Sequence, residues 1–147
     1  MGCVMKVSNL LATKGRDVAT ISQERSVTDA LAILKERGVG ALVVTGSLPP
    51  LVGILSERDI VRALATQGVD ALDVSVAELM TSEVRVCDEE TSMQSLMGLM
   101  TEHHIRHVPV VQEGRLVGLV SIGDVVKARL DELESEKKEL LDYVSAR

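Results

Sequence analysis

Hydrophobic and polar positions change their spacing along this chain in a regular order. Residues 18–21 form a short apolar and β-branched run, which predicts a strand. Residues 27–34 then place apolar side chains at the spacing of one helix face. Ser26 is a favourable N-cap for this helix, and Gly38 is a favourable residue to end it. The first part of the chain therefore predicts a strand followed by a helix.

Two further apolar runs, at 41–45 and 51–55, are joined by a turn rich in Gly and Pro, and this pattern indicates a β-hairpin. Ser56 follows directly and begins another helix, which continues to Gln67 and Gly68. The complete unit is predicted to be strand, helix, strand, strand, helix.

The same unit returns in the second half of the chain, from residue 84 to about residue 143. Residues 26–34 match residues 92–100, and the sequence GILSERDI at 53–60 matches GLVSIGDV at 118–125. One residue is lost between these matches, in the hairpin turn, where length changes are tolerated best. We expect two similar units, over residues 1–69 and 70–147, which share one core because about 65 residues alone bury little apolar surface.

Three segments lie outside the repeat. Residues 5–11 predict a short amphipathic helix, and residues 76–80 predict a helical turn in the linker. The last helix continues well past its counterpart in the first unit, with one apolar stripe among many charges. That stripe either packs on the protein's own core or reaches a second subunit. Its length favours a homodimer.

Composition limits the classes of partner. Hydrophobic residues make up 46% of the 147 residues and charged residues 26%, the net charge is −6 and the pI is about 5.1. An acidic chain is a poor match for nucleic acid, which requires clustered Lys and Arg. Apolar runs stay well short of the roughly 20 residues of a membrane span, and the first residues lack a secretory or myristoylation signal. We therefore expect a cytoplasmic protein with no nucleic-acid or membrane partner.

A Ser followed three residues later by Asp opens the closing helix of each unit, as Ser56–Asp59 and Ser121–Asp124. One interpretation is a capping box, which satisfies the unpaired amides at a helix start. The other is a ligand site, because a carboxylate there can accept two hydrogen bonds from a vicinal diol while nearby amides bind an anion. A ribose with an attached phosphate offers both groups.

The doubled unit, with Gly-x-x-Ser-x-x-Asp in each copy and HVPVV at 107–111, resembles a tandem pair of CBS domains, the cystathionine β-synthase type. The resemblance covers about residues 12–129. It implies an α/β fold, α+β-like in detail, of two domains packed with pseudo-twofold symmetry around two clefts. It also implies adenosine ligands, namely AMP, ADP, ATP or NAD, and less favourably S-adenosylmethionine.

Carried over to this sequence, the resemblance implies that Asp59 and Asp124 each hold a ribose, with Ser56 and Ser121 close by. Each cleft in this family combines the Ser–Asp motif of one copy with strand residues of the other.

The resemblance thus directs Arg106, which can bind phosphate, and His107 to the Asp59 cleft. Arg58 is a further candidate for phosphate binding there. For the Asp124 cleft it indicates Gly40 and Ala41, with Lys14 or Arg16 as the source of charge. Backbone groups near the start of each unit would contact adenine: those of Val18, Ala19 and Thr20, and of Val84 to Val86.

Catalytic and metal-binding patterns are weak in this chain. His103 and His107 have the four-residue spacing of a helical metal pair, but Pro109 and the strand-like run around it argue against a continuous helix. Cys3 and Cys87 are too few for a disulfide framework, and Cys87 has no evident base partner. We predict a stand-alone regulatory module that senses adenine nucleotide and signals to an unidentified protein target, not an enzyme. The alternative is an interaction or dimerisation module with empty clefts.

Overall fold

The protein is described by a computed structural model over residues 4–146, so Cys3 and the first residues of the chain lie outside the described part. The first half and the linker contain β1 (Thr20–Ser22), α2 (Val27–Arg37), β2 (Ala41–Thr45), β3 (Gly53–Ser56), α3 (Glu57–Gln67), a 3-10 turn (Gly68–Leu72) and α4 (Val76–Leu79), preceded by α1 (Val7–Lys14). The second half contains α5 (Met93–His103), β4 (His107–Gln112), β5 (Arg115–Ser121) and α6 (Ile122–Ser145).

The first half forms the predicted strand, helix, strand, strand, helix unit. β1 pairs with β2 in parallel, and β2 pairs with β3 as an antiparallel hairpin, which confirms the predicted hairpin. Ser26 accepts a hydrogen bond from the Asp29 amide at the start of α2, and Gly38 ends that helix with a left-handed backbone at φ 62°. β1 begins two residues later than the apolar run predicted.

The second half departs from the prediction at its first strand. The expected strand at residue 84 is absent from the described chain, where Cys87 alone pairs with β4: its N–H donates to Pro109 O at 3.0 Å, and its carbonyl accepts from Val111 N–H at 2.8 Å. Extending this parallel pairing by one hydrogen bond toward the N-terminus would require an N–H from Pro109 to the carbonyl of Arg85. Proline has no N–H, so this bond cannot form. In the first half, Val43 stands at the matching position and donates this bond to the Ala19 carbonyl at 3.0 Å.

The prediction of one shared core was wrong. Buried apolar residues form two clusters, one in each half. Each half completes its cluster with a segment from outside its own repeat. Val7, Leu10 and Leu11 of α1 pack in the second half, whereas Val76 of α4 packs in the first. The packing thus crosses the domain boundary that we placed near residue 69.

Backbone contacts tie these exchanged segments in place. Val7 N–H donates to Thr91 O at 2.8 Å, and Met93 N–H donates to Met5 O at 2.9 Å, so α1 is joined to the start of α5. In the first half, Val76 N–H donates to Arg25 O at 2.7 Å, just before α2. The two halves are therefore bound to each other by chain exchange, which explains how units of about 65 residues are stabilised without a common core.

α6 runs for 24 residues and extends past the core. Only Val125 on this helix is buried. A stripe of apolar side chains is between 43% and 65% exposed, and it consists of Val126, Leu130, Leu133, Leu140 and Val144. The predicted amphipathic helix is confirmed, and in this chain its apolar stripe does not pack on the core. Within residues 4–146, none of the helices has the length and apolar character that crossing a membrane requires.

Candidate functional site

The two Ser–Asp motifs lie where a strand passes directly into a helix. At the first junction, Asp59 Oδ2 accepts from Ser56 N–H at 2.9 Å and from the Ser56 hydroxyl at 3.1 Å, and Asp59 N–H donates to Ser56 Oγ at 3.3 Å. At the second, Asp124 Oδ2 accepts from Ser121 N–H at 2.8 Å, and Asp124 N–H donates to Ser121 Oγ at 3.1 Å. Both motifs are capping boxes, as one of the two interpretations predicted.

Capping does not use the whole Asp59 carboxylate. In the part of the chain that the structure describes, the hydrogen bonds of Asp59 as an acceptor all go to Oδ2. Oδ1 keeps its lone pairs for another donor, and the side chain is half-buried at the wall of a cavity. The capping role and a ligand-binding role are therefore compatible in one residue.

The Asp59 cavity has a volume of about 270 Å³ and is lined by residues of both halves. The first half contributes Ser56, Asp59, Arg58 and Gly40, and the second half contributes Arg106 and His107. These are the groups that the resemblance directed to the Asp59 cleft, with Gly40 added. The tertiary structure thus brings the Asp59 carboxylate, the Ser56 hydroxyl and the guanidinium groups of Arg58 and Arg106 together in one cleft.

Several residues of this cavity were missed by the sequence analysis. They are Ile54, Glu57, Arg62, Thr81, His103, His104 and Ile105. The sequence could have indicated Arg62, because it lies four residues after Arg58 and therefore on the same face of α3. No sequence pattern indicated Thr81, because it belongs to the linker. It reaches the cleft by pairing with Ile54 at the edge of β3, with N···O distances of 3.0 and 2.9 Å.

The Asp124 motif has a different environment. Lys14, at the end of α1, places its Nζ 2.6 Å from Asp124 Oδ2 and 2.6 Å from Leu119 O. Partial burial raises the pKa of the Asp124 carboxyl, but the hydrogen bonds from Lys14 and Ser121 more than offset this and hold it below its usual range. We expected Lys14 to supply charge near Asp124, and it does so by binding the carboxylate itself. The two Ser–Asp motifs are therefore not equivalent.

Other residues assigned to the Asp124 cleft lie elsewhere. Gly40 lines the Asp59 cavity, where a Cβ would sit 3.5 Å from Nε2 of His107. Ala41 is buried in β2 and pairs with Ser56 of its own half. The Arg16 guanidinium pairs with Glu89. Asp124 instead faces a groove of about 470 Å³ between α1 and α6, with Lys14 and Lys127 on its walls.

The backbone segments assigned to adenine also lie outside the Asp59 cavity. Neither residues 18–20 nor residues 84–86 are among the described residues that line it. Ala19 is buried, and its carbonyl is used by Val43 N–H. The carbonyl of Arg85, at the matching position of the second half, has no such partner in β4, because Pro109 lacks the N–H.

His107 lies between the two motifs and is half-buried. Burial is the largest influence on the pKa of His107 and holds it below its usual value, although the Asp124 and Glu57 carboxylates act in the opposite direction. The imidazole is thus held in its neutral form around pH 7, in which one ring nitrogen donates and the other accepts.

Helical metal pairing of His103 and His107 is excluded by the backbone. α5 ends at His103, His104 adopts a left-handed conformation at φ 53°, and His107 begins β4. Burial and the neighbouring Asp88 raise the pKa of Cys87 to about 12, so this thiol stays protonated and is a poor nucleophile.

Comparisons with known proteins agree with this architecture. The family model "CBS domain" matches residues 7–66 and 76–131. The CBS domain-containing protein CBSX3, mitochondrial, of Arabidopsis thaliana is 34% identical, over 94% of this chain and 71% of its own length. The crystal structure of the CBS-domain containing protein ATU1752 from Agrobacterium tumefaciens is similar with a TM-score of 0.83 and 44% identity, over 88% of this chain and 96% of that one.

Another similar structure contains adenosine-derived ligands. The CBS domain pair of protein MJ0100, in complex with 5′-methylthioadenosine and S-adenosyl-L-methionine, is similar with a TM-score of 0.78 and 25% identity, over 88% of this chain and 99% of that one. The repeat, the α+β fold and the two family matches lead to one conclusion: this chain belongs to the CBS-domain family and carries two CBS domains in tandem.

Proposed function

We propose that this chain is a regulatory module, not an enzyme, that binds an adenine nucleotide in the Asp59 cleft. The observation that carries the proposal is the free Asp59 Oδ1 in a cavity that also contains Ser56 and Arg106. The carboxylate suits the ribose diol, and Arg106 suits a phosphate. The adenosine ligands of the MJ0100 CBS pair support this class of ligand.

A ligand in this cleft would contact both halves. Its binding would favour the relative arrangement of the halves that closes on it, and a protein partner that distinguishes the two arrangements would sense the ligand. AMP, ADP, ATP and NAD remain the proposed ligands, with S-adenosylmethionine less favoured. A cytoplasmic location and an unidentified protein target are part of the same proposal.

A thermal-shift screen with these ligands tests the proposal. A ligand that binds only the folded chain stabilises it by mass action and so raises Tm. At a free ligand concentration of 100 times Kd, the free energy of unfolding increases by about 2.7 kcal/mol. If none of them changes Tm or binds by calorimetry, the clefts serve no nucleotide and the structural alternative is favoured.

Arg106→Ala is expected to weaken AMP and ATP binding much more than adenosine binding. Arg106 is exposed and lies just before β4, and its guanidinium would bind the phosphate that adenosine lacks. Loss of this charge-assisted contact should weaken AMP binding roughly 10- to 100-fold. Calorimetric titration of the variant with adenosine and AMP measures the difference. Equal losses for both ligands would assign Arg106 to cleft shape instead of phosphate binding.

We also propose that the module is a homodimer. The exposed stripe of α6 supports this, because its apolar residues are spaced at alternating intervals of four and three, as in a helix-to-helix seam, with Lys137 at one position of the series. The occupant that fits a continuous seam of this kind is the same helix of a second copy.

Truncation after Leu130 is expected to convert the dimer to a monomer, since it removes Leu133, Leu140 and Val144 from the stripe. Sedimentation velocity of the full chain and of the truncated chain measures this. A control variant, Glu134→Gln, keeps the stripe and should keep the dimer. A full-length monomer, or an unchanged dimer after truncation, would contradict the assigned role of α6.

A further inference from the structure

We propose that the Asp59 cleft is specific for a ligand with a chain of two or more phosphates, such as a nucleoside di- or triphosphate. This inference rests on the proposed adenine-nucleotide function and adds the class of ligand. The alternatives within that function are a monophosphate and the cationic S-adenosylmethionine. The observations that separate these classes are the number, the spacing and the free state of the guanidinium groups at the cleft.

Three arginines line the cleft, Arg58, Arg62 and Arg106. Four other arginines of the described chain, Arg16, Arg25, Arg37 and Arg129, form ion pairs with carboxylates, whereas Arg85 and Arg115 do not and lie outside the cleft. The three cleft arginines have no ion pair within residues 4–146. In a chain with a net charge of −6, this cavity is lined by three guanidinium groups without an ion pair and by two carboxylates, so positive charge is locally in excess.

Arg62, Arg58 and Arg106 define a path that leads from the cleft to an adjoining cavity. Arg58 and Arg62 are four residues apart on α3, which corresponds to about 6 Å along the helix axis. Arg58 and Arg106 also line a second, adjoining cavity of about 350 Å³ beside the end of α5. A ligand with its ribose on Asp59 therefore has guanidinium groups available both within the cleft and at the adjoining cavity. A single phosphate would occupy only part of this path.

The two acids of the cleft lie at a different place. Asp59 is the proposed ribose contact, and Glu57 Oε2 lies 3.8 Å from the Cβ position of Gly40, next to His107. The carboxylate of Glu57 thus faces the His107 side, and does not neutralise Arg58 or Arg62 by an ion pair. A ligand with a positively charged side arm would place that charge among the guanidinium groups, which is electrostatically unfavourable. Extended phosphates match the path in both charge and length.

The test is a calorimetric series on the full chain with adenosine, AMP, ADP, ATP and inorganic triphosphate, without divalent cations. We expect affinity to rise along the nucleotide series, with ATP about tenfold or more tighter than AMP, since each added guanidinium–phosphate contact is a charge-assisted hydrogen bond. The preference for ATP over AMP should also shrink with rising salt, because exposed charges are screened.

The double variant Arg58→Ala/Arg62→Ala is expected to bring the ATP-to-AMP affinity ratio close to one while adenosine affinity stays unchanged. Arg115→Ala, at the exposed first residue of β5, is the matched control and should keep the wild-type ratio. Circular dichroism verifies that each variant is folded. A ratio preserved in the double variant would overturn the inference.

The outcomes separate this inference from the proposed function. Binding of adenosine and AMP with no gain for ADP or ATP would overturn the polyphosphate inference and leave the proposed function in place. Binding of inorganic triphosphate without binding of adenosine or AMP would overturn the adenosine function and support the phosphate path alone. No binding of any of the five compounds would overturn both.

Discussion

Leu11→Ala is expected to lower the free energy of unfolding of the full chain by about 2–4 kcal/mol, the range for a buried leucine whose cavity does not refill. Leu11 is 1% exposed, although it lies in the short N-terminal helix α1. Its Cδ2 lies 2.7 Å from where a Cβ of Gly118 would be, so the side chain packs directly against the backbone of β5. The substitution would therefore destabilise the second half, although Leu11 precedes the first half in the sequence.

Urea unfolding of the full chain measures this effect, since the midpoint and slope together give the free energy. Leu140→Ala on α6 is the matched control: the same substitution at a side chain that is 65% exposed should change the free energy by less than about 0.5 kcal/mol at protein concentrations below dimer formation. If Leu11→Ala costs no more than Leu140→Ala, α1 does not contribute to the core of the second half.

Asp59→Ala is expected to weaken nucleotide binding roughly 10- to 150-fold, which corresponds to about 1.5–3 kcal/mol for hydrogen bonds to a charged group. The substitution removes the carboxylate that would bind the ribose diol and that accepts the hydrogen bonds from Ser56. A loss of binding and a loss of stability are therefore expected together. Calorimetry on the folded variant separates the two effects, because it reports affinity and not the amount of folded protein.

Asp29→Ala provides a matched control. Asp29 occupies the same third position of α2, where its carboxylate pairs with Arg25 at 2.9 Å and complements the positive end of the helix, and it is not among the described residues that line the Asp59 cavity. Both variants should lower Tm, but only Asp59→Ala should reduce affinity. A fall in Tm with unchanged affinity in Asp59→Ala would show that the carboxylate serves only as a helix cap.

Local signals in the sequence were sufficient for most elements of the first half. Ser26, Gly38 and Ser56 determine where helices begin and end through hydrogen bonds within a few residues, and such bonds depend little on the rest of the fold. The repeat itself followed from matching short segments, and it led directly to the family. The prediction of a strand at the start of the second half was wrong, because strand pairing there depends on a residue of another strand, Pro109, and not on the apolar pattern of residues 84–87.

The sequence by itself determined the two Ser–Asp motifs, their capping geometry and the grouping of Asp59 with Arg106, because motif spacing and the family resemblance suffice for these. Only the tertiary structure decided that α1 and α4 complete the opposite halves, that Lys14 binds Asp124, and that Arg62 and Thr81 reach the Asp59 cavity. These contacts join residues far apart in the chain. Their formation depends on how apolar surface is buried in three dimensions, which no local spacing encodes.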